Sequence, residues 1–320
     1  MLNRRNILAL SGAGLAAGLI PAGRALAADI NSLLLVEPMG KPFMTRTAFE
    51  LLVPKLKQEL NCEVTVQTIP GHDGYDAIHA ILGSKADAPQ LWSGAIMATQ
   101  LAARIYKEEI RLESLTPIVK LTNGFSVTLF TKRGGPLKSW SDIAALKPLK
   151  VASLMRATAA YLGVLMLDRE GHLATDVSMH DLIPDVVADV MSGRSAAGII
   201  ATMYVAQRLD QLQPIVSFGA QRNAMLSQTP TLAEITGNPK LAFTESFGIF
   251  GPPKLDPAVA ERLVKGFVSA GQDQEVIDGA EAAGLPLAIS GPEVLVDNWK
   301  RDESVLNRIL GWVSCCGRRQ

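Results

Sequence analysis

Residues 32–69 read SLLLVEPMGKPFMTRTAFELLVPKLKQELNCEVTVQTI, an apolar run followed by a helical pattern and an alternating run. Leu33–Val36 has the composition of a buried strand, and residues 63–69 alternate as a second strand does. Apolar residues between them recur at helical spacing, although Pro54 lies inside the pattern and is expected to kink the helix or delay its start. A strand, a helix and a second strand in this order predict a parallel βαβ unit.

The same alternation continues along the chain. Further strands are predicted at 89–92, 126–131, 150–152, 197–200 and 215–218, and further helices at 76–82, 98–106, 158–169, 185–191 and 205–212. Helix-start signals stand at Ser139, Thr231, Asp256 and Pro292. Two successive sets of strand-helix units suit a two-lobed α/β fold, and ligands of such sheets bind outside the carboxyl ends of the strands.

The first 27 residues have the pattern of an export signal. Arg4 and Arg5 form a positively charged start, residues 7–20 are apolar, and Ala25-Leu26-Ala27 fits a small-x-small cleavage site. Residues 3–8 (NRRNIL) resemble a twin-arginine signal. The apolar stretch is shorter than the roughly 20 residues that a spanning helix needs. We therefore expect cleavage near Ala27 and a soluble periplasmic protein.

An alternative interpretation of this segment is a cofactor site. Residues 10–17 (LSGAGLAA) loosely resemble the glycine-rich turn of a dinucleotide-binding fold, which would make the chain an oxidoreductase. That turn requires a buried strand before it, where residues 3–6 (NRRN) stand instead. It also requires an acidic residue about 20 positions further along the chain, at the end of a second strand. Asp29 does not meet this requirement, because it precedes the first predicted strand. The export signal is the preferred interpretation, and no cofactor is expected.

Composition and charge argue against a nucleic-acid-binding protein. The chain has 31 basic and 31 acidic side chains, and removal of residues 1–27 takes away three arginines, which leaves a net charge near −3. Hydrophobic residues make up 48% of the chain, as in a globular protein. A nucleic-acid binder needs a basic face. Cys62 could form a disulfide with Cys315 or Cys316, which would leave one thiol unpaired.

Sequence motifs give no sign of an enzyme or of a metal site. His72 and His79 lie outside the spacing of a helical metal-binding pair, and no His-Glu-x-x-His motif occurs. The chain also has no Gly-x-Ser-x-Gly motif and no phosphate-binding glycine-lysine motif. We therefore expect a binding protein.

Several motifs resemble those of a known family. They are residues 229–234 (TPTLAE), residues 247–253 (FGIFGPP) with 255–257 (LDP), Pro70-Gly71 with Gly74, and Ala152-Ser153 with Thr158 and Leu162. They are similar to motifs of the substrate-binding receptors of tripartite tricarboxylate transporters, the Bug receptors. The resemblance covers roughly residues 33–313.

This resemblance implies a type II-like, two-lobed periplasmic binding protein fold with a ligand cleft between the lobes. Lobe 1 would consist of residues 29–125 and 242–320, and lobe 2 of residues 126–241. The resemblance further implies a monomer that closes on a small organic acid and delivers it to membrane transporter subunits. A receptor of the same fold could instead present its ligand to a sensor kinase, and that alternative stays open.

Candidate ligand-binding residues come from the loops at the strand ends. They are Met39, Gly40, Lys41, Phe43, Met44, Thr45, His72, Ala95, Ile96, Ser153, Arg156, Ala157, Thr158, Thr202 and Tyr204. Arg156 is the leading candidate for pairing with a ligand carboxylate, because a guanidinium can bind one bidentately; a solvated loop charge is the alternative. Thr45 and Thr158 are also candidate helix caps.

The candidate loops depart from the family pattern. The first loop, residues 38–46, is bulkier and more basic than the family's small residues, and Ala95-Ile96 replaces small hydroxyl residues in the third. Phe43, Met44, Ile96 and Tyr204 are apolar neighbours that would suit an aromatic acid. The ligand expected is therefore a carboxylate, with an aromatic acid as one option.

Overall fold

The computed structural model describes residues 29–40, 43–85, 87–170 and 173–315, which form two β-sheets with helices packed on them. The strands are β1 (Ser32–Glu37), β2 (Glu63–Thr68), β3 (Gln90–Ala95), β4 (Thr116–Thr122), β5 (Val127–Lys132), β6 (Leu149–Leu154), β7 (Thr175–His180), β8 (Ala197–Ala201), β9 (Leu212–Ser217), β10 (Phe247–Gly251) and β11 (Leu287–Ser290). The helices are α1 (Met44–Leu60), α2 (Tyr75–Ile81), α3 (Ile96–Tyr106), α4 (Trp140–Ala144), α5 (Ala159–Glu170), α6 (Ile183–Met191), α7 (Thr202–Ala206), α8 (Leu232–Thr236), α9 (Pro257–Gly271), α10 (Gln274–Ala282) and α11 (Pro292–Cys315).

Three of the sequence predictions fall outside the described part of the chain. The export signal with its alternative glycine-rich turn lies there, and so does Lys41. The possible disulfide from Cys62 also lies there, because the side chains of Cys315 and Cys316 are not among those described.

Each sheet is mixed. The first has the order β11-β4-β10-β3-β1-β2 and the second β7-β6-β8-β5-β9. β1 pairs in parallel with β2 and β3, and β6 pairs in parallel with β7 and β8. β10 and β5 are antiparallel to both of their neighbours. The expectation of a parallel sheet is thus correct for the βαβ units and wrong for β5 and β10, which are the first strands after the chain changes sheets.

The chain crosses between the sheets twice, through residues 123–126 and 218–246. The crossings lie side by side, because Phe125 and Glu245 exchange backbone hydrogen bonds of 2.7 and 2.8 Å in an antiparallel bridge. This arrangement is the two-lobed α/β fold that the sequence predicts. The lobe boundaries at residues 125 and 241 stay a prediction.

Each sheet has its own core, and α11 contacts both lobes. Leu35, Phe49 and Phe267 are fully buried in the first core, and Leu129 and Val216 are fully buried in the second. α11 packs against β4 and α3 of the first lobe and against α5 of the second. No helix in the described ranges is both long enough and apolar enough to cross a bilayer.

Two local predictions differ from the structure. Pro54 does not delay the start of α1, which begins at Met44; it lies on the exposed face, where water can satisfy the carbonyl that loses its helical donor, and the alternative of a kink stays a prediction. The helix predicted at 205–212 is wrong: α7 ends at Ala206, and a turn then leads into the edge strand β9. The sequence analysis also missed β4, whose pattern is hidden by Pro117 near its start and by the largely buried Lys120 within it.

The cap of α9 offers a test of one local prediction. The Asp256 carboxylate accepts hydrogen bonds from the backbone N–H groups of Ala258 (2.8 Å) and Val259 (3.2 Å), while the residue itself is exposed. We expect Asp256→Ala to lower the free energy of unfolding by about 1 kcal/mol, because two N–H groups lose their partner. Urea denaturation measures this loss. Asp256→Asn keeps a cap and should retain most of the stability, so equal losses in both variants would contradict the capping role.

Candidate functional site

A cavity of about 110 Å³ lies between the two sheets. Its walls are built by the segments that follow the carboxyl ends of β1, β3, β6 and β8 and by the two crossings. Ligand sites of α/β sheets lie at this end of the strands. The cavity is therefore the candidate site.

Most of the cavity wall is apolar. The aromatic side chains are those of Phe43, Trp92, Phe125, Tyr204 and Phe247. Phe125 and Phe247, one from each crossing, stack with ring centroids 5.4 Å apart and an interplanar angle of 15°. Such a wall suits the apolar body of a small ligand.

The charged side chains among the described lining residues are acidic: Asp73 and Glu245. Asp73 is half-buried, and its carboxylate accepts a 2.9 Å hydrogen bond from the hydroxyl of Tyr106. Glu245 is fully buried. In the parts of the chain that the structure describes, no group of three or more potential metal ligands occurs.

The Glu245 carboxylate caps α3. It accepts hydrogen bonds from the backbone N–H groups of Met97 (3.0 Å), Ala98 (3.0 Å) and Ser246 (3.1 Å). The first N–H groups of a helix lack partners within it and carry partial positive charge, so they stabilise an anion. Burial nevertheless raises the pKa of Glu245 to about 8, with a smaller contribution in the same direction from the charge of Asp302.

A second buried acid organises the first loop. The Glu37 carboxylate accepts hydrogen bonds from the N–H groups of Met39 (2.8 Å) and Gly40 (2.8 Å) and from the hydroxyl of Thr68. Gly40 has a φ of +70°, a conformation that favours glycine. The loop after β1 is thus folded around a side chain of the protein itself.

The second lobe presents the start of α5 to the cavity. The Thr158 hydroxyl donates to the carbonyl of Met155 (2.8 Å) and accepts from the N–H of Tyr161 (3.3 Å). The N–H groups of Ala159 and Ala160 have no partner within the described ranges, and both residues line the cavity. Unpaired N–H groups at a helix start can receive a carboxylate.

The structure brings eight of the predicted site residues into the cavity wall. They are Met39, Phe43, Met44, Thr45, Ala95, Ala157, Thr158 and Tyr204. Thr158 combines a capping role with a place in the wall. Ala157 also packs against the first-lobe cluster around Trp92 and Ile96, so the loop that carries it reaches across the cleft.

The other described candidates lie away from the wall. Gly40 is held by Glu37, and His72 is exposed and paired with Asp76 at 2.6 Å. Ile96 is fully buried in the core, and Ser153 is also fully buried, with no partner for its hydroxyl among the described atoms. Thr202 donates to the carbonyl of Ser126 at 2.8 Å. Arg156 is exposed on the loop before Thr158.

Sequence reasoning missed Trp92, Phe125, Glu245 and Phe247 as wall residues. Trp92 and Phe247 stand in motifs that the sequence analysis used for the fold alone. Glu245 has no local signal, because an isolated Thr-Glu-Ser before a strand does not reveal a helix start more than a hundred residues earlier in the chain.

The raised pKa of Glu245 predicts a pH dependence of stability. The carboxyl titrates near 4.5 in the unfolded chain and near 8 in the folded protein, so the folded state retains a proton that the unfolded state releases between these values. The contribution of this group to stability is complete below the lower value and is lost as the pH rises to the higher one. We expect Glu245→Gln to flatten the decline by up to about 1.4 kcal/mol per pH unit.

Urea denaturation between about pH 5 and pH 8 measures this slope. Burial also raises the pKa of Asp302, to about 7. Asp302→Asn is therefore the comparison variant: it removes the other raised acid and should flatten the decline below about pH 7, while a decline caused by Glu245 remains. Parallel pH profiles for the wild type and Glu245→Gln would contradict the assignment to Glu245.

Comparison with known proteins shows similarity at the level of the fold. No family model matches the chain, and no protein of curated function does. Among solved structures, MatC (Rpa3494) from Rhodopseudomonas palustris with bound malate has a TM-score of 0.74 and 18% identity, covering 88% of this chain and 99% of that one. Rpa4515 of R. palustris with adipate has a TM-score of 0.74 and 15% identity, covering 88% and 97%.

The periplasmic binding protein BugD has a TM-score of 0.73 and 14% identity, covering 89% of this chain and 98% of that one. These likenesses extend over both sheets and nearly the whole of each solved chain. The chain therefore has the two-lobed periplasmic binding protein fold of the tripartite tricarboxylate receptors, the family that its sequence resembles.

Proposed function

We propose that this chain is an exported solute-binding receptor that captures a small organic acid in the cavity between its lobes. The cavity carries the proposal, because it lies at the strand ends and is enclosed by residues of both lobes. Solved proteins of the same fold hold malate and adipate. The periplasmic location follows from the N-terminal pattern and agrees with the fold.

The start of α5 is our candidate for the carboxylate position. The N–H groups of Ala159 and Ala160 point donors along the helix axis with no protein acceptor among the described residues, and the Thr158 hydroxyl lies beside them in the wall. Arg156 precedes them on the same loop and is exposed, so it can attract an anion to the cleft. The aromatic side chains opposite then contact the body of the acid.

Ligand capture requires the lobes to move relative to each other. The two crossings are the connections on which they would turn, and a ligand that contacts both walls stabilises the closed form by its differential affinity. A membrane transporter can recognise that closed shape, which makes delivery of the acid for uptake our proposal for the partner. A chain of this fold needs no catalytic group for that role.

A thermal-shift screen of the protein from Ala28 onward tests the binding function. A ligand that binds only the folded state adds roughly 2.7 kcal/mol of stability at a hundredfold excess over its dissociation constant. We expect one or more aliphatic or aromatic acids to raise the melting temperature. Ala201→Trp should abolish the rise, because Ala201 lines the cavity at the carboxyl end of β8 and the indole would occupy it.

Ala196→Trp is the matched control, since Ala196 precedes the same strand at its other end and is not in the cavity wall. It should keep the ligand-induced rise. A rise that survives in Ala201→Trp would place the ligand elsewhere, and a panel in which no acid acts would refute the capture of an organic acid.

Deletion of the gene separates transport from sensing. We expect loss of uptake of the acid that the thermal-shift screen identifies, because the receptor supplies the transporter with bound solute. The measurement is accumulation of that acid in labelled form. Normal uptake with lost transcriptional induction would instead indicate a sensor partner.

A further inference from the structure

At the cavity, the first lobe has two groups of backbone N–H groups that converge on one point. In both groups these N–H groups already donate hydrogen bonds to a carboxyl group of the protein. In the loop after β1, Glu37 holds the N–H groups of Met39 and Gly40. At the start of α3, Glu245 holds those of Met97 and Ala98. Both acids are fully buried. A ligand carboxylate directed at the first lobe would find these anion positions occupied.

The described residues of the rest of that wall supply no cation to compensate a negative charge. The described lining residues include no lysine, arginine or histidine, and their ionisable acids are Asp73 and Glu245. Trp92 also lines the cavity, and its buried indole N–H has no partner in the described structure, but one neutral donor does not neutralise a carboxylate. Among the described residues, a charge buried on this side would therefore find no partner of opposite charge.

The second lobe differs, because the N–H groups of Ala159 and Ala160 are not taken by a protein acceptor within the described ranges. The two walls therefore have opposite chemistry. One side can receive a single carboxylate, and the other combines aromatic and methionine side chains with buried acids.

We infer that the solute is a monocarboxylic acid with an apolar body, bound with its carboxylate toward the second lobe and its body toward the first, and that dicarboxylic acids are rejected. This inference rests on the proposed capture of an organic acid and narrows it to one class. It sets the chain apart from the proteins of the same fold that hold malate and adipate, which each carry two carboxylates.

Matched pairs of acids test the inference by isothermal titration calorimetry of the protein from Ala28 onward. Hexanoate and adipate have the same carbon chain, and benzoate and terephthalate share one ring, so each pair differs by one carboxylate. We expect the monocarboxylate of at least one pair to bind more than about tenfold tighter than its partner. Equal or tighter binding of the dicarboxylates would overturn the inference and leave the proposed function intact.

A single substitution tests the cause of the discrimination. Met39→Arg places a cation in the wall, so we expect adipate affinity to rise about tenfold because the second carboxylate gains a partner. Met225→Arg adds the same charge at an exposed methionine outside the cavity and should leave the adipate affinity unchanged. Circular dichroism verifies that both variants fold. An unchanged adipate affinity in folded Met39→Arg would overturn the explanation that dicarboxylates are rejected because the second carboxylate has no partner of opposite charge.

Discussion

The hydrogen bonds from the N–H groups of Met97 and Ala98 to the Glu245 carboxylate connect three parts of the molecule. The backbone of Glu245 pairs with Phe125 of the other crossing, so the two connections between the lobes form a short ladder. The side chain of Glu245 contacts the start of α3 and also lines the cavity. The position of this one buried acid therefore determines where the crossings lie relative to the first sheet, and with them the cavity between the lobes.

The two lobes meet through packing as well as through the crossings. Ala157, on the loop before α5, packs into the first-lobe cluster around Trp92, and α11 contacts β4, α3 and α5. The Ala157 contact is small and apolar, whereas α11 is also joined to α3 by a salt bridge of 3.3 Å between Arg104 and Glu303. Small apolar contacts separate without leaving an unpaired charge, which is compatible with the lobe movement that we propose for ligand capture.

The first βαβ unit was predictable because β1 carries an apolar run, β2 alternates and a helical pattern lies between them; in the second lobe β6 and β8 were predictable, but β7 was not. Apolar site residues such as Phe43 and Tyr204 were predictable because they follow those strands. The positions of Arg156 and Ile96 were harder to foresee, since a residue at a strand end can face the cleft, the solvent or the core, and only packing decides. The role of Glu245 could not be predicted for another reason. It depends on a helix start far away in the sequence, and patterns in a single sequence report only local periodicity.

The sharing of Glu245 between a crossing and the cavity floor has an evolutionary consequence. A substitution there would alter the candidate site and the connection between the lobes at the same time, so few replacements would satisfy both. Met39 and Ala95 contribute side chains to the wall without fixing a crossing. If the proposed function is correct, we expect descendants of this chain to acquire new solutes through changes at such positions, while Glu245 is retained.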